Sequence, residues 1–134
     1  MTKIFAVAIA VILIAIPAMA EAKIAAKIPF EFHAGDTTLP AGEYVIEVLS
    51  ALNIRVTNKD TGEAAVVQTP IPISEAAPLR SAKLVFSRYG SEYFLAEAWW
   101  AERSNGRAIL KTNLEVELAK RIAPVRIESV SARK

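Results

Sequence analysis

Side chains able to do acid–base or nucleophilic chemistry are few. His33 is the sole histidine in 134 residues, and there is no cysteine. Two-histidine zinc motifs, thiolate metal sites, thiol nucleophiles and disulfides are excluded on that count. Asp36 follows His33 by three residues, so a Ser-His-Asp grouping stays open by number, but no serine sits in a Gly-x-Ser-x-Gly elbow. The favoured reading of His33 is an exposed strand-end residue before a turn. Carboxylate pairs exist as Glu43 with Glu47, Glu92 with Glu97, and Glu115 with Glu117. A retaining glycosidase needs two carboxyls about 5 Å apart across a sugar-sized cleft. No spacing here selects one pair, and solvated surface charge accounts for all three. Asn58-Lys59-Asp60-Thr61-Gly62-Glu63 concentrates oxygens, but it lacks the alternation and terminal glutamate of an EF-hand calcium loop, and turn chemistry explains it. Neither a catalytic residue nor a metal ligand nor a cofactor is assigned, and the chain is expected not to be an enzyme.

The aromatic residues carry more information. Tyr93, Leu95, Glu97 and Trp99 alternate with Phe94, Ala96, Ala98 and Trp100. In a regular strand the adjacent tryptophans point to opposite faces, so one enters the core and the other meets the C-terminal helix, solvent or a ligand. Cover by the helix is the favoured reading; an open tryptophan would be a stacking platform with one donor. Trp99, Trp100, Tyr93 and Arg88 are therefore the candidate ligand-binding residues, with Tyr89 and Arg107 on the rim. Arg88 is expected to pair with Glu97 or stack on Tyr93. A cavity lined by Phe86, Leu95 and one tryptophan would mark a ligand carrier.

These groups need a frame, and the frame begins with an address. Of residues 1–20, 17 are apolar, whereas 54 of the remaining 114 are. Lys3 precedes the apolar run Ile4 to Ile16, and Pro17-Ala18-Met19-Ala20 closes it with an A-x-A site. This pattern predicts a signal peptide over 1–20 cleaved after Ala20, and export to the periplasm or the medium. Residues 21–134 form one expected domain of ordinary soluble composition. No second apolar run reaches spanning length, so no membrane span is expected after signal removal. Beyond Ala20, 15 basic residues nearly balance 14 acidic ones, which disfavours nucleic-acid binding.

Within that domain, period-two alternation predicts a strand over Lys27 to His33, with Pro29 marking an edge or bulge. Leu39-Pro40-Ala41-Gly42 fits a type I turn that feeds a strand over Tyr44 to Leu49. Further strands are predicted over Asn53 to Thr57 and Ala64 to Thr69, joined by a turn with Gly62 left-handed. Pro70, Pro72 and Pro78 suggest an extended crossover loop from Thr69 to Ser81. The segment Ala82 to Trp100 reads as two long central strands about a type II′ turn at Gly90-Ser91, setting Arg88 opposite Tyr93 and Phe86 opposite Leu95. Thr112-x-x-Glu115 has capping-box spacing. Leu114, Leu118 and Ile122 then form a narrow stripe, which predicts a helix from about Asn113 to Ala123 stopped by Pro124. Val125 to Val130 could add a last strand.

Two blocks carry a resemblance. Ile28-Pro29-Phe30-Glu31-Phe32-His33-x-Gly35-x-x-x-Leu39-Pro40-Ala41-Gly42-x-Tyr44 and Lys83-Leu-Val-Phe-Ser-Arg-Tyr-Gly-Ser-Glu-Tyr-Phe-Leu95 are similar to the recurring blocks of a group of small secreted bacterial proteins best known from soil acidobacteria. The resemblance implies a secreted β-rich domain and brings no activity, cofactor or catalytic residue with it. Leu39 to Val45 also resembles the turn before a strand in transthyretin-like and carboxypeptidase-regulatory-like sandwiches, which supports a sandwich by analogy.

Together these readings predict a mainly β domain: an antiparallel sandwich or partly closed barrel of six or seven strands with one C-terminal helix. The expected function is a non-catalytic, secreted or periplasmic binding module of the cell envelope. Its expected partner is an envelope component or a small apolar or saccharide ligand. Alternatives are a small envelope-polymer hydrolase acting through carboxylates and a surface subunit assembling through an edge strand.

Overall fold

A computed structural model describes residues 23–130. The expected export segment and its cleavage point at Ala20 lie outside these residues. Two β-sheets face each other across one core, as a sandwich and not a closed barrel. The first sheet contains β1 (Lys23–Ile28), β4 (Gly42–Ser50), β5 (Asn53–Asn58) and β6 (Ala64–Gln68), antiparallel in the order β1-β4-β5-β6. The second runs β11 (Val125–Val130), β8 (Lys83–Tyr89), β9 (Glu92–Trp99), β10 (Asn105–Ala108), β7 (Ile71–Ser74). Two short strands, β2 (Phe32–Ala34) and β3 (Thr37–Leu39), pair with each other, and β2 meets β9 in parallel through His33 and Phe94. Short pieces such as these raise the number of strands above the expected six or seven.

Alternation builds the core as expected. Ile24, Ile28, Tyr44, Ile46, Ile54 and Val56 come from the first sheet, and Phe32, Leu39, Leu84, Phe86, Leu95 and Trp100 meet them from the second. The strand expected over Lys27 to His33 is instead two strands in different sheets. Ile28 ends β1, Pro29 to Glu31 cross the sandwich, and Phe32 begins β2. Ile28, Phe30 and Phe32 all face the same core, so the alternation runs through the crossing unbroken, and Pro29 marks the change of sheet. The expected crossover loop also holds a strand, β7, and Pro72 is tolerated there because β7 is the sheet edge.

The β8–β9 hairpin has the expected register, Arg88 opposite Tyr93 and Phe86 opposite Leu95, and Gly90 takes φ 63 at its turn. Beyond Leu95 the register slips: Val85 faces Glu97, and Ala96 is left as the extra residue of a bulge. This bulge exchanges the faces. Tyr93 and Leu95 pack on the core, and past the bulge Ala98 and Trp100 do, whereas Glu97 and Trp99 turn to the outer face.

The helix α1 (Asn113–Ala119) is shorter than expected. Thr112 caps it, its hydroxyl accepting from the Glu115 amide. Its expected apolar stripe is not buried: Leu114 is 51% and Ile122 39% exposed. The two sheets already close the core, so the helix is anchored by Glu115, its one buried residue. No helix among the described residues is long and apolar enough to cross a membrane.

Candidate functional site

The four aromatic and basic candidates do not share one site. Arg88 and Tyr93 lie opposite each other near the hairpin turn, and the Tyr93 ring stacks on Phe30 with centroids 3.8 Å apart. Arg88 does not pair with Glu97. That carboxylate is taken on the outer face by Arg126, with contacts of 3.2 and 3.3 Å.

Trp99 belongs to this outer face. Its Nε1 donates to Glu97 at 2.9 Å, and the Lys83 ammonium sits 5.6 Å from its ring centroid. Gly106 of the neighbouring strand lies so close that a Cβ there would come within 2.8 Å of the Trp99 ring. Lys83 also pairs with Glu128, and Glu128 with Arg126. Trp99 is therefore roofed by Gly106 and Lys83 and left 3% exposed, so it offers no open platform.

Trp100 is buried to the same degree on the opposite side, with a different environment. Its Nε1 has no acceptor among the described residues. Trp100 lines a cleft of about 370 Å³ at the end of the sandwich, where the chain passes from β6 into β7. Val48 and Ala51 form one wall from the first sheet, Pro70 and Pro72 another, and Arg103 and Arg107 supply cations. Arg107 is fixed: its Nη1 donates to the Ser50 carbonyl at 2.6 Å and reaches Thr69 Oγ1 at 3.5 Å. Arg103 makes no side-chain hydrogen bond or ion pair among the described residues. Its backbone is held, however, because Arg103 O accepts from the Leu79 amide at 3.1 Å, while the Glu102 amide donates to Leu79 O at 2.6 Å. Glu102 takes φ 63, a left-handed conformation unusual for a residue with a Cβ, so the loop bearing Trp100 and Arg103 is locally strained and pinned.

The cavity contemplated beside Phe86 and Leu95 is not where the space lies, since both are buried in packed core. The candidate carboxylate pairs are divided among separate partners. Glu47 is bracketed by Lys23 and Arg55, Glu43 meets Lys59, Glu92 meets His33, and Glu117 meets Lys120. Glu115 is 4% exposed and accepts from the Tyr89 hydroxyl. Burial, reinforced by the Glu115 hydrogen bond and charge, pushes the Tyr89 phenol up to about 12.

His33 is half-buried and tied, not free at a strand end. Its Nε2 lies 2.7 Å from Glu92, its Nδ1 3.0 Å from the Thr38 hydroxyl, and its ring stacks on Phe94. One neutral tautomer satisfies both contacts, Nε2 donating and Nδ1 accepting. The three groups stitch the β2–β3 hairpin to the tip of β9. In the Asn58–Gly62 turn, Asn58 Oδ1 accepts from the amides of Asp60 and Thr61, and Gly62 takes the expected left-handed φ of 79. Among the described residues no group of three or more potential ligands is placed to hold a metal ion.

The residue types single out Trp100 and Arg107, whereas Arg103 and the wall of Pro70 and Pro72 carry no local signal of the cleft. Ser104-Asn105-Gly106-Arg107 reads from its residue types as a turn, whereas Asn105 to Arg107 begin β10, and the cleft exists because the β4–β5, β6–β7 and β9–β10 connections converge beside that strand. Compared with known proteins, the chain matches no family model, no curated protein and no solved structure.

Proposed function

We propose that this chain is an exported, non-catalytic binding module of the cell envelope, and that its ligand occupies the cleft at the sandwich end. The observation that carries the reading is Trp100: a buried indole donor without an acceptor, in the wall of a cleft large enough for a small molecule. Arg88 Nε, near the hairpin turn, is likewise buried without a partner, but the cleft lining holds Trp100 and not Arg88, and a cleft of this size suits a small ligand. The N-terminal apolar run with its A-x-A end supports export.

Catalysis has less support. The described lining of the cleft contains no carboxylate, and the candidate carboxylates are engaged one by one elsewhere. Assembly through an edge is also less favoured, because β11 carries Arg126 and Glu128, charges of the kind that blunt an edge strand.

The test is to recover the native protein from envelope and medium fractions and to examine it by native mass spectrometry. The expected result is an N-terminus at Glu21 and a co-purifying small molecule. An N-terminus at Met1 overturns export, and protein free of any bound species overturns the binding reading.

A further inference from the structure

We infer that the cleft takes its ligand by an oxyanion, a carboxylate or phosphate on a small organic body, gripped by Arg103 and Arg107 in a cleft whose wall includes the Trp100 indole. This inference rests on the reading of the cleft as the binding site, and it adds the charge and chemistry of what binds.

The first argument is the balance of donors and charges. Arg103 and Arg107 bring two cations to the cleft, and the described lining offers no carboxylate to neutralise them. On the sheet faces Arg55 meets Glu47 at 2.6 Å, and Arg126 meets both Glu97 and Glu128. Arg103 and Arg107 form no ion pair among the described residues, and they are two such arginines that line one concavity. Two unmatched guanidinium groups in one concavity raise the local concentration of anions.

The second argument is preorganisation. Nη1 of Arg107 serves Ser50 and Thr69, which orients the fork while its other donors stay uncommitted. A planar guanidinium with two free parallel donors suits a carboxylate or phosphate edge. Arg103 hangs from a loop fixed at both Glu102 and Arg103 by Leu79. Fixing these groups before binding lowers the ordering cost when the anion arrives. Trp100 contributes its indole to the cleft wall, while its Nε1 is itself enclosed.

The apolar wall of Val48, Pro70 and Pro72 limits the remainder of the ligand. It accommodates a compact body with C–H surface, such as a sugar ring, behind the anionic group.

The test uses the full mature protein labelled with 15N, following the two indole N–H signals during titration. The probes are galacturonate, galactose 1-phosphate, inorganic phosphate and neutral galactose. Expected is a saturable shift of the Trp100 indole signal, with Trp99 unmoved, for galacturonate or galactose 1-phosphate, and none for galactose. Whichever of the two dominates identifies the anion as carboxylate or phosphate, and saturation by inorganic phosphate alone would show that the organic body adds nothing, overturning that part. Arg107→Gln is expected to weaken binding about tenfold or more. Because Arg107 also braces Ser50, Arg103→Gln serves as the second variant, its side chain bonded to nothing in the described structure, with a loss of similar direction. Arg126→Gln on the outer face is the control and should bind normally. Galactose binding as well as galacturonate overturns the anion inference and leaves the cleft reading standing. Failure of every probe to move Trp100 overturns the anion inference, while the co-purified species decides the cleft reading separately.

Discussion

The Tyr89 hydroxyl donates to Glu115 Oε2 at 2.9 Å, joining the end of β8 to the first turn of α1, with both residues buried. This bond fixes a helix whose apolar side chains are largely in water. Its titration has a definite sign. Burial first, then Glu115, raises the phenol to about 12 in the folded state, while the unfolded phenol titrates near 10. The stabilisation is therefore whole below pH 10 and is lost as pH rises from 10 through 12, by at most ~3 kcal/mol. Urea unfolding at pH 9, 10 and 11 should show falling stability, and Tyr89→Phe should flatten that fall. At pH 7 the same variant should be less stable by about 2 kcal/mol, since it leaves Glu115 buried without its donor.

Gly106 is predicted to tolerate no side chain. A Cβ would lie 2.7 Å from the Ala98 carbonyl oxygen and 2.8 Å from Trp99 ring carbons, and backbone cannot step aside as a flexible side chain could. Gly106→Ala should lower stability by about 1–3 kcal/mol, read from the urea midpoint. It should also change the near-ultraviolet circular dichroism of Trp99, whose ring must move. Gly62→Ala meets no neighbouring atom and carries only the strain of its positive φ, so its effect should be smaller, about 1 kcal/mol.

How legible these features were in the sequence follows from how local their causes are. The β8–β9 register depends on a two-residue turn and its flanks, so Arg88 opposite Tyr93 could be read directly. Thr112 capping Glu115 is equally local. The crossing at Pro29 was hidden because both sheets face one core, and alternation cannot distinguish a strand that continues from one that changes sheet. The bulge at Ala96 left no residue-type signal, yet it decides that Trp99 is roofed and Trp100 lies in the cleft wall. The helix stripe misled because periodicity reports what could be buried, while two packed sheets had left it no partner. The cleft was the least legible feature, since Ala51, Thr69, Trp100 and Arg107 meet only through long-range pairing.

On the outer face of the first sheet, Lys23, Glu47 and Arg55 sit in register across three strands. The Arg55 hydrogen bond, at 2.6 Å, is the main cause that holds the Glu47 carboxyl below its ordinary value; Lys23 adds to it, and partial burial opposes it. A lowered carboxyl stabilises the fold above the unfolded value near 4.5, and this contribution disappears as pH falls through the folded value. Glu47→Gln should therefore cost under about 1 kcal/mol at pH 7 and less as the pH is lowered below the unfolded value. The comparison is made by urea unfolding of both proteins over a pH series falling from 7, and raised salt should narrow the gap at pH 7.

The turn after β5 offers a separation of backbone support from surface oxygen. Asn58 is buried and its Oδ1 accepts from the amides of Asp60 and Thr61 at 2.8 and 3.0 Å, while the Asn58 carbonyl accepts from Gly62. Asn58→Ala strips two amides of their acceptor, so a loss of about 2 kcal/mol is expected in the thermal or urea midpoint. Asp60 is exposed and contributes its amide, not its carboxylate, to this bonding. Asp60→Ala should therefore change stability by less than about 0.5 kcal/mol. The same arrangement predicts that calcium does not reinforce the turn, because the oxygen best placed to serve as ligand is already engaged by two amides. Thermal unfolding with millimolar calcium should match unfolding with chelator, and a rise in midpoint that Asp60→Ala abolishes would show that the turn opens to hold an ion.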